Sequence, residues 1–141
     1  MAGRLHVILN EYVRQHGGIV LFAPLDILLT GYGVVQPDLL LFTKEREGLL
    51  DLRQANRAAP DLAIEILSPA TAVNDRGRKM QLLARHRVRE YWLVDPDAST
   101  IEVYALNGQQ FALASTATGR EGVRSRLLPD LALLPADLVP A

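Results

Sequence analysis

The chain has 141 residues, 49% of them hydrophobic and 22% charged, with a formal net charge of -1. Such a composition excludes a disordered chain, and the length fits a single domain over residues 1–141. Cysteine is absent, which rules out a disulfide framework, a thiolate nucleophile and a cysteine-ligated zinc.

No apolar run approaches the roughly 20 residues that cross a bilayer. The amino terminus has no signal-peptide hydrophobic region before polar residues intervene, so a cytoplasmic protein without a membrane partner is expected. The nearly neutral balance does not advertise nucleic-acid binding over the whole surface, but it leaves room for a local basic patch.

Residues 4–16 place Leu5, Ile8, Leu9, Tyr12 and Val13 at helical spacing, and Gly17-Gly18 then signals a stop. Residues 19–30 are apolar and β-prone, broken by Pro24, which reads as a bent or edge strand. After a turn at Gly31-Tyr32-Gly33, residues 34–42 form a strand with apolar residues on both faces, as in the interior of a sheet. Residues 43–59 read as a loop with some helical character.

The next strand is residues 61–67, and Ser68-Pro69-Ala70-Thr71 turns the chain. A helix follows to about Arg87, with Thr71, Asn74 or Asp75 able to cap it and Met80, Leu83 and Ala84 as its inner stripe. Residues 91–94 make a short strand, so strand, helix and strand in succession predict a parallel crossover. Two strands around Asn107-Gly108 make a hairpin, and the tail from Leu127 wraps the surface. The order α-β-β-β-α-β plus a hairpin predicts an α/β or α+β domain with a mixed sheet flanked by helices.

Three charges in this framework carry chemistry: Asp38, Glu65 and Lys79. A carboxylate within a run of Leu and Ile is costly to bury unless it is paired, hydrogen-bonded or bound to a metal. Strand alternation puts Asp61, Ala63, Glu65 and Leu67 on one face, and Gln36, Asp38, Leu40 and Phe42 on one face of the preceding strand. If those strands are neighbours, Asp38 and Glu65 can approach each other and repel, which a cation relieves. Magnesium suits two such carboxylates because it takes oxygen ligands, and the carbonyl of Ile66 could add another.

Each residue also has a plainer explanation. Proline–aspartate pairs recur at Asp38, Asp61, Asp97 and Asp130, and in reverse at Asp95-Pro96, so one such pair says little. Glu65, between Ile64 and Ile66, has no turn to explain it. Lys79 lies four residues after Asp75, the spacing of an ordinary surface ion pair. Arg76, Arg78, Lys79, Arg85, Arg87 and Arg89 form a basic run without an intervening acid. It is either a solvated helix face or a grip for a phosphate backbone, with Arg76, Arg78 and Arg85 as the candidate contacts. His6, His16 and His86 are scattered and lack metal-ligand spacing. Ser68 has no nucleophile-elbow motif and fits a turn or cap; Tyr91 and Trp92 fit the core.

The stretch Pro60-Asp61-Leu62-Ala63-Ile64-Glu65-Ile66-Leu67-Ser68-Pro69, then Asp75 and Lys79, then Val88-Arg89-Glu90-Tyr91-Trp92-Leu93-Val94-Asp95-Pro96, resembles the bacterial Uma-two family. Its members are restriction-type endonucleases of the PD-(D/E)XK nuclease superfamily. Gln36-Pro37-Asp38-Leu39-Leu40-Leu41 matches that family's first acidic strand, and the resemblance spans nearly the whole chain.

The resemblance implies a restriction-endonuclease-like fold in which Asp38 and Glu65 ligate Mg2+, with Mn2+ as a substitute, and Lys79 supplies the catalytic lysine from a helix. It further implies a nucleic-acid substrate, double-stranded DNA above all, and a homodimer for double-strand cleavage. In the common superfamily arrangement the lysine stands two residues after the second acid, where this chain has Leu67. The family's usual tyrosine one helical turn after the lysine falls at Leu83, and its usual glycine before the next strand's valine falls at Arg87. Many relatives carry an extra amino-terminal segment, which sometimes brings a further acid; Glu11 is the nearby candidate here. These departures keep a competing expectation open: a degenerate nuclease fold that binds nucleic acid or a protein partner without cutting.

Overall fold

The computed structural model describes residues 2–22, 27–29, 33–49 and 59–138. Helix α1 (Ala2–His16) is followed by strands β1 (Ile19–Phe22), β2 (Ile27–Leu29), β3 (Gly33–Val35) and β4 (Leu39–Phe42). Next come β5 (Leu62–Ile66), helices α2 (Ala72–Arg76) and α3 (Arg78–Arg85), and strands β6 (Glu90–Asp95), β7 (Thr100–Asn107) and β8 (Gln110–Thr118). Short 3-10 turns occupy Glu47–Leu49 and Pro135–Leu138.

Six strands form one mixed sheet in the order β1-β4-β5-β6-β7-β8, and β2 and β3 pair separately. Within the large sheet β5 and β6 run parallel, joined through α2 and α3, whereas the other neighbouring pairs are antiparallel. The crossover and the hairpin expected from sequence are therefore both present. At the hairpin tip Gly108 has φ 68°, the left-handed conformation that glycine adopts without penalty.

Alternation along β5 divides the core. Leu62 and Ile64 pack with Leu5, Leu9 and Val13 of α1 on one face, while Ala63 and Leu67 pack with Leu82 and Leu83 of α3 on the other. Leu39 and Leu41 of β4 join the first group, and Leu40 joins the second. Tyr91 and Trp92, both fully buried, serve opposite faces.

Three expectations require correction. The strand over residues 34–42 is broken: β3 ends at Val35, and Asp38 lies outside regular structure just before β4. Pro37 sits in the break, where its missing N–H removes a ladder donor. The helix after Ser68 is likewise two helices meeting at Gly77, with φ -106° and ψ -105°. Thr71 occupies the first helix's N-cap position, yet its hydroxyl meets Ser68 Oγ at 3.0 Å instead of capping. Finally, the tail does more than wrap the surface. Val123, Leu128, Leu133 and Leu138 are buried against the α1 face of the sheet. The turn at Gly31-Tyr32 and much of the 43–59 loop lie outside the described residues.

Candidate active site

The β4–β5 register pairs Leu39 with Ile64, so one further step sets Asp38 opposite Glu65. There side chains take over from the ladder. The Asp38 N–H donates to Glu65 Oε1 at 3.0 Å, and the Ile66 N–H donates to Asp38 Oδ2 at 2.7 Å. Each carboxylate thus satisfies an amide across the strand boundary, and both are fixed at the same edge.

Lys79 reaches this edge from the first turn of α3. Its ammonium contacts Glu65 Oε2, lies 3.8 Å from Asp75 Oδ1 and donates to the Gln36 carbonyl at 3.4 Å. The helix is held in place by Leu82, Leu83 and Ala84, with Met80 half-buried beside them. The Lys79–Asp75 pair is therefore not a surface pair: Asp75 is 3% exposed. Its backbone is fixed as well, since the Tyr91 hydroxyl donates to the Asp75 carbonyl at 2.9 Å.

Sequence reasoning placed Asp75 as a cap or surface partner and missed its burial. A signal was available, because Asp75, Lys79 and Leu82 follow at i, i+4 and i+7 and so share the inward face.

Burial pushes the Glu65 carboxyl up to about 7. Lys79 pulls it down, more strongly than Asp38 and Asp75 push it up, but does not offset the burial. A single ammonium among three carboxylates leaves a local excess of negative charge. The donors are all hard oxygens, which is the chemistry that magnesium or manganese takes. The residues fit such a cation, with Asp38 and Glu65 as its holders and Lys79 standing in as the resident positive charge. Among the described residues no three His, Cys, Asp or Glu side chains are already arranged as a metal cage.

The three candidate arginines diverge. Arg78 shares with Lys79 a groove of about 450 Å³, lined also by Val34, Val35, Gln36, Asn74 and Leu82. Arg76 instead forms a two-pronged pair with Glu102, at 2.5 and 3.2 Å, and Tyr104 donates to the same carboxylate. Arg85 lines a different groove, together with Gln81, Gln109 and Phe111. Arg89 and Arg46 serve Asp61, at 3.4 and 3.0 Å. Glu11 pairs with Arg14 and Gln15 on the exposed side of α1, whose inner side covers the opposite sheet face. His6 and His16 contact backbone carbonyls of Val20 and Tyr12.

With this geometry established, the family model for Uma2, described as a putative restriction endonuclease, matches residues 1–137. The chain belongs to the Uma2 family. Its structure is also similar to the crystal structure of a putative nuclease belonging to DUF820 from Anabaena variabilis, with a TM-score of 0.74 at 23% identity. That likeness covers 97% of this chain and 76% of the other, and establishes the shared fold. No curated protein matches. Uma2 membership and the mixed nuclease-like sheet support a nuclease.

The resemblance implies a glycine where this chain has Arg87. Arg87 has φ 68°, a conformation in which a side chain is strained and glycine is not. Leu83, where the resemblance implies a tyrosine, is fully buried and gives the site no hydroxyl. Among the described residues, no helix is long and apolar enough to cross a membrane.

Proposed function

We propose that this Uma2 protein is a divalent-metal-dependent endonuclease that hydrolyses phosphodiester bonds, with double-stranded DNA as its substrate. The observation that carries this reading is the Asp38–Glu65 edge, with the Lys79 ammonium laid directly on a buried carboxylate. A purely structural ion pair gains little from placing two further carboxylates around one lysine. A site that accepts a cation and an anionic substrate in turn has reason to.

Asp38 and Glu65 would hold Mg2+ or Mn2+. Such a cation, when bound, supplies positive charge to the phosphoryl oxygens and acidity to a water. Lys79, once clear of Glu65, orients the attacking water and donates to the developing oxyanion. The water oxygen forms a bond to phosphorus as the bond to the leaving oxygen breaks, and the leaving oxygen takes up a proton. Arg78, in the same groove as Lys79, holds a neighbouring phosphate; Arg76, paired with Glu102, and Arg85, in a different groove, add longer-range attraction. Two protomers would be needed to cut both strands in one encounter.

The test is supercoiled-plasmid cleavage with Mg2+ or Mn2+, comparing the unaltered protein with Glu65→Ala and Lys79→Ala. Cleavage should fall at least about 100-fold in both, as expected when transition-state charge stabilisation is lost. Cleavage that survives both substitutions refutes the reading. DNA retardation without cleavage in the unaltered protein selects the competing non-cutting module.

A further inference from the structure

The resident ammonium poses a problem that the proposed nuclease reading must solve. Lys79 touches the same Glu65 carboxylate that would receive a cation, so loading requires Lys79 to leave. A lysine displaced into a buried, apolar setting is costly to strand without a partner. Lys79 is mostly covered, and Leu82 lines the same groove beside it. What receives it must already be near, negatively charged and fixed.

Asp75 meets each condition. Its carboxylate oxygen lies 3.8 Å from the Lys79 nitrogen, within ion-pair range but beyond a close hydrogen bond. Its backbone is secured from both sides, by its N–H to the Thr71 carbonyl at 2.9 Å and by the Tyr91 hydroxyl on its own carbonyl. Asp75 and Lys79 lie on either side of the Gly77 break, so the pair bridges two helices and is not a contact within one. Asp75 also repels Glu65, an unfavourable arrangement for a residue whose only service is stability.

Resting on the nuclease reading above, we propose that Asp75 is a positioning residue that receives the Lys79 ammonium when a divalent cation takes its place on Glu65. Lys79 then has two seats, Glu65 in the metal-free protein and Asp75 in the loaded one. The second keeps the ammonium beside the carboxylate edge, where it faces the substrate. The Gln36 carbonyl, which already accepts from Lys79 at 3.4 Å, gives the ammonium a neutral partner at the same edge.

The experiment is a double-mutant cycle read by Mn2+ affinity, using calorimetry or the loss of the free-ion EPR signal in the full chain. Asp75→Asn, nearly isosteric, should weaken Mn2+ at least tenfold while Lys79 is present, because the ammonium then stays on Glu65. In a Lys79→Met background no ammonium has to move, and Asp75→Asn should cost less than threefold. Asp75→Glu should recover most of the affinity in the Lys79 background. An equal loss in both backgrounds overturns the two-seat arrangement and makes Asp75 a direct ligand or a diffuse charge. No loss in either background overturns it as well. If Asp75→Asn does not fold, Asp75→Ser decides instead, since loss of the seat should weaken Mn2+ only when Lys79 is present. Mn2+ binding that is absent from the unaltered protein, or unaffected by Glu65→Ala, overturns the nuclease reading itself and is distinguishable from the other outcomes.

Discussion

The two ends of β5 each hold a buried carboxylate, and they are built to opposite electrostatic ends. Asp61, just before the strand, is fully buried and surrounded by donors: the Thr43 N–H at 2.7 Å, Arg46 at 3.0 Å and Arg89 at 3.4 Å. Burial raises its pKa, but the Thr43 amide and Arg46 outweigh it and hold the carboxyl below its ordinary value. Glu65, four residues on and on the same face, is equally dry and has one ammonium amid two other acids. Its carboxyl is raised instead. Burial alone therefore does not make a site. Incomplete compensation does, since it leaves a group whose charge state and partners can change.

The comparison can be broken most sharply at its satisfied end. Asp61→Ala leaves the Thr43 amide unmet and two guanidinium groups without their carboxylate, and should cost about 2–4 kcal/mol. Part of that is recovered because Arg46 and Arg89 reach water. Glu65→Gln should stay within about 1 kcal/mol of the unaltered protein at neutral pH, because it removes a charge that burial disfavours. Urea denaturation of the two variants decides the contrast, and comparable losses would falsify it.

Titration should sharpen the same difference. The Glu65 carboxyl is raised from 4.5 to about 7 on folding, so the folded state binds the extra proton. Its contribution to stability is present at low pH and is lost as pH rises to about 7, amounting to about 3 kcal/mol. Asp61 works in the other direction: its depressed carboxyl supports folding above the unfolded value and loses that support as pH falls through the folded one. Denaturation free energies at pH 5 and pH 8 should therefore change less for Glu65→Gln than for the unaltered protein. Parallel pH dependences would remove the distinction between the two ends.

Smaller effects should come from the supports. Tyr91→Phe removes the hydroxyl that fixes the Asp75 carbonyl and should cost about 1 kcal/mol, visible as a lower thermal midpoint. Arg87→Gly relieves a left-handed residue two positions before Arg89, on the Asp61 side, and should gain about 0.5–1 kcal/mol in the same measurement.

Much of the fold was legible because β5 and β6 announce themselves as short, nearly continuous apolar runs, and Asn107-Gly108 marks the hairpin. The Asp38–Glu65 opposition was also legible from parity, although Asp38 stands outside the strand. The register continues past β4 by one residue, so the parity argument reaches the right neighbour across Pro37. The role of Asp75 was not legible. Its spacing from Lys79 is also that of a solvent-facing pair; the i, i+7 step to Leu82 hints at an inward face, but the contact with Tyr91 of β6 is what encloses the pair. The divergence of Arg76 from Arg78 was equally hidden, because Glu102 lies 26 residues away in β7.

The position of the lysine has a further consequence. Leu67, where the common superfamily arrangement would put it, is buried beneath α3 with Leu82 and Leu83. A lysine borne by the strand would be held by the sheet ladder, but this one is held by the fit of a short helix against a greasy floor. Conservative trimming of Leu82 or Leu83 would therefore be felt at the carboxylates as a shift of charge, with no polar residue altered. In this molecule, the tuning of the site is distributed through its hydrocarbon.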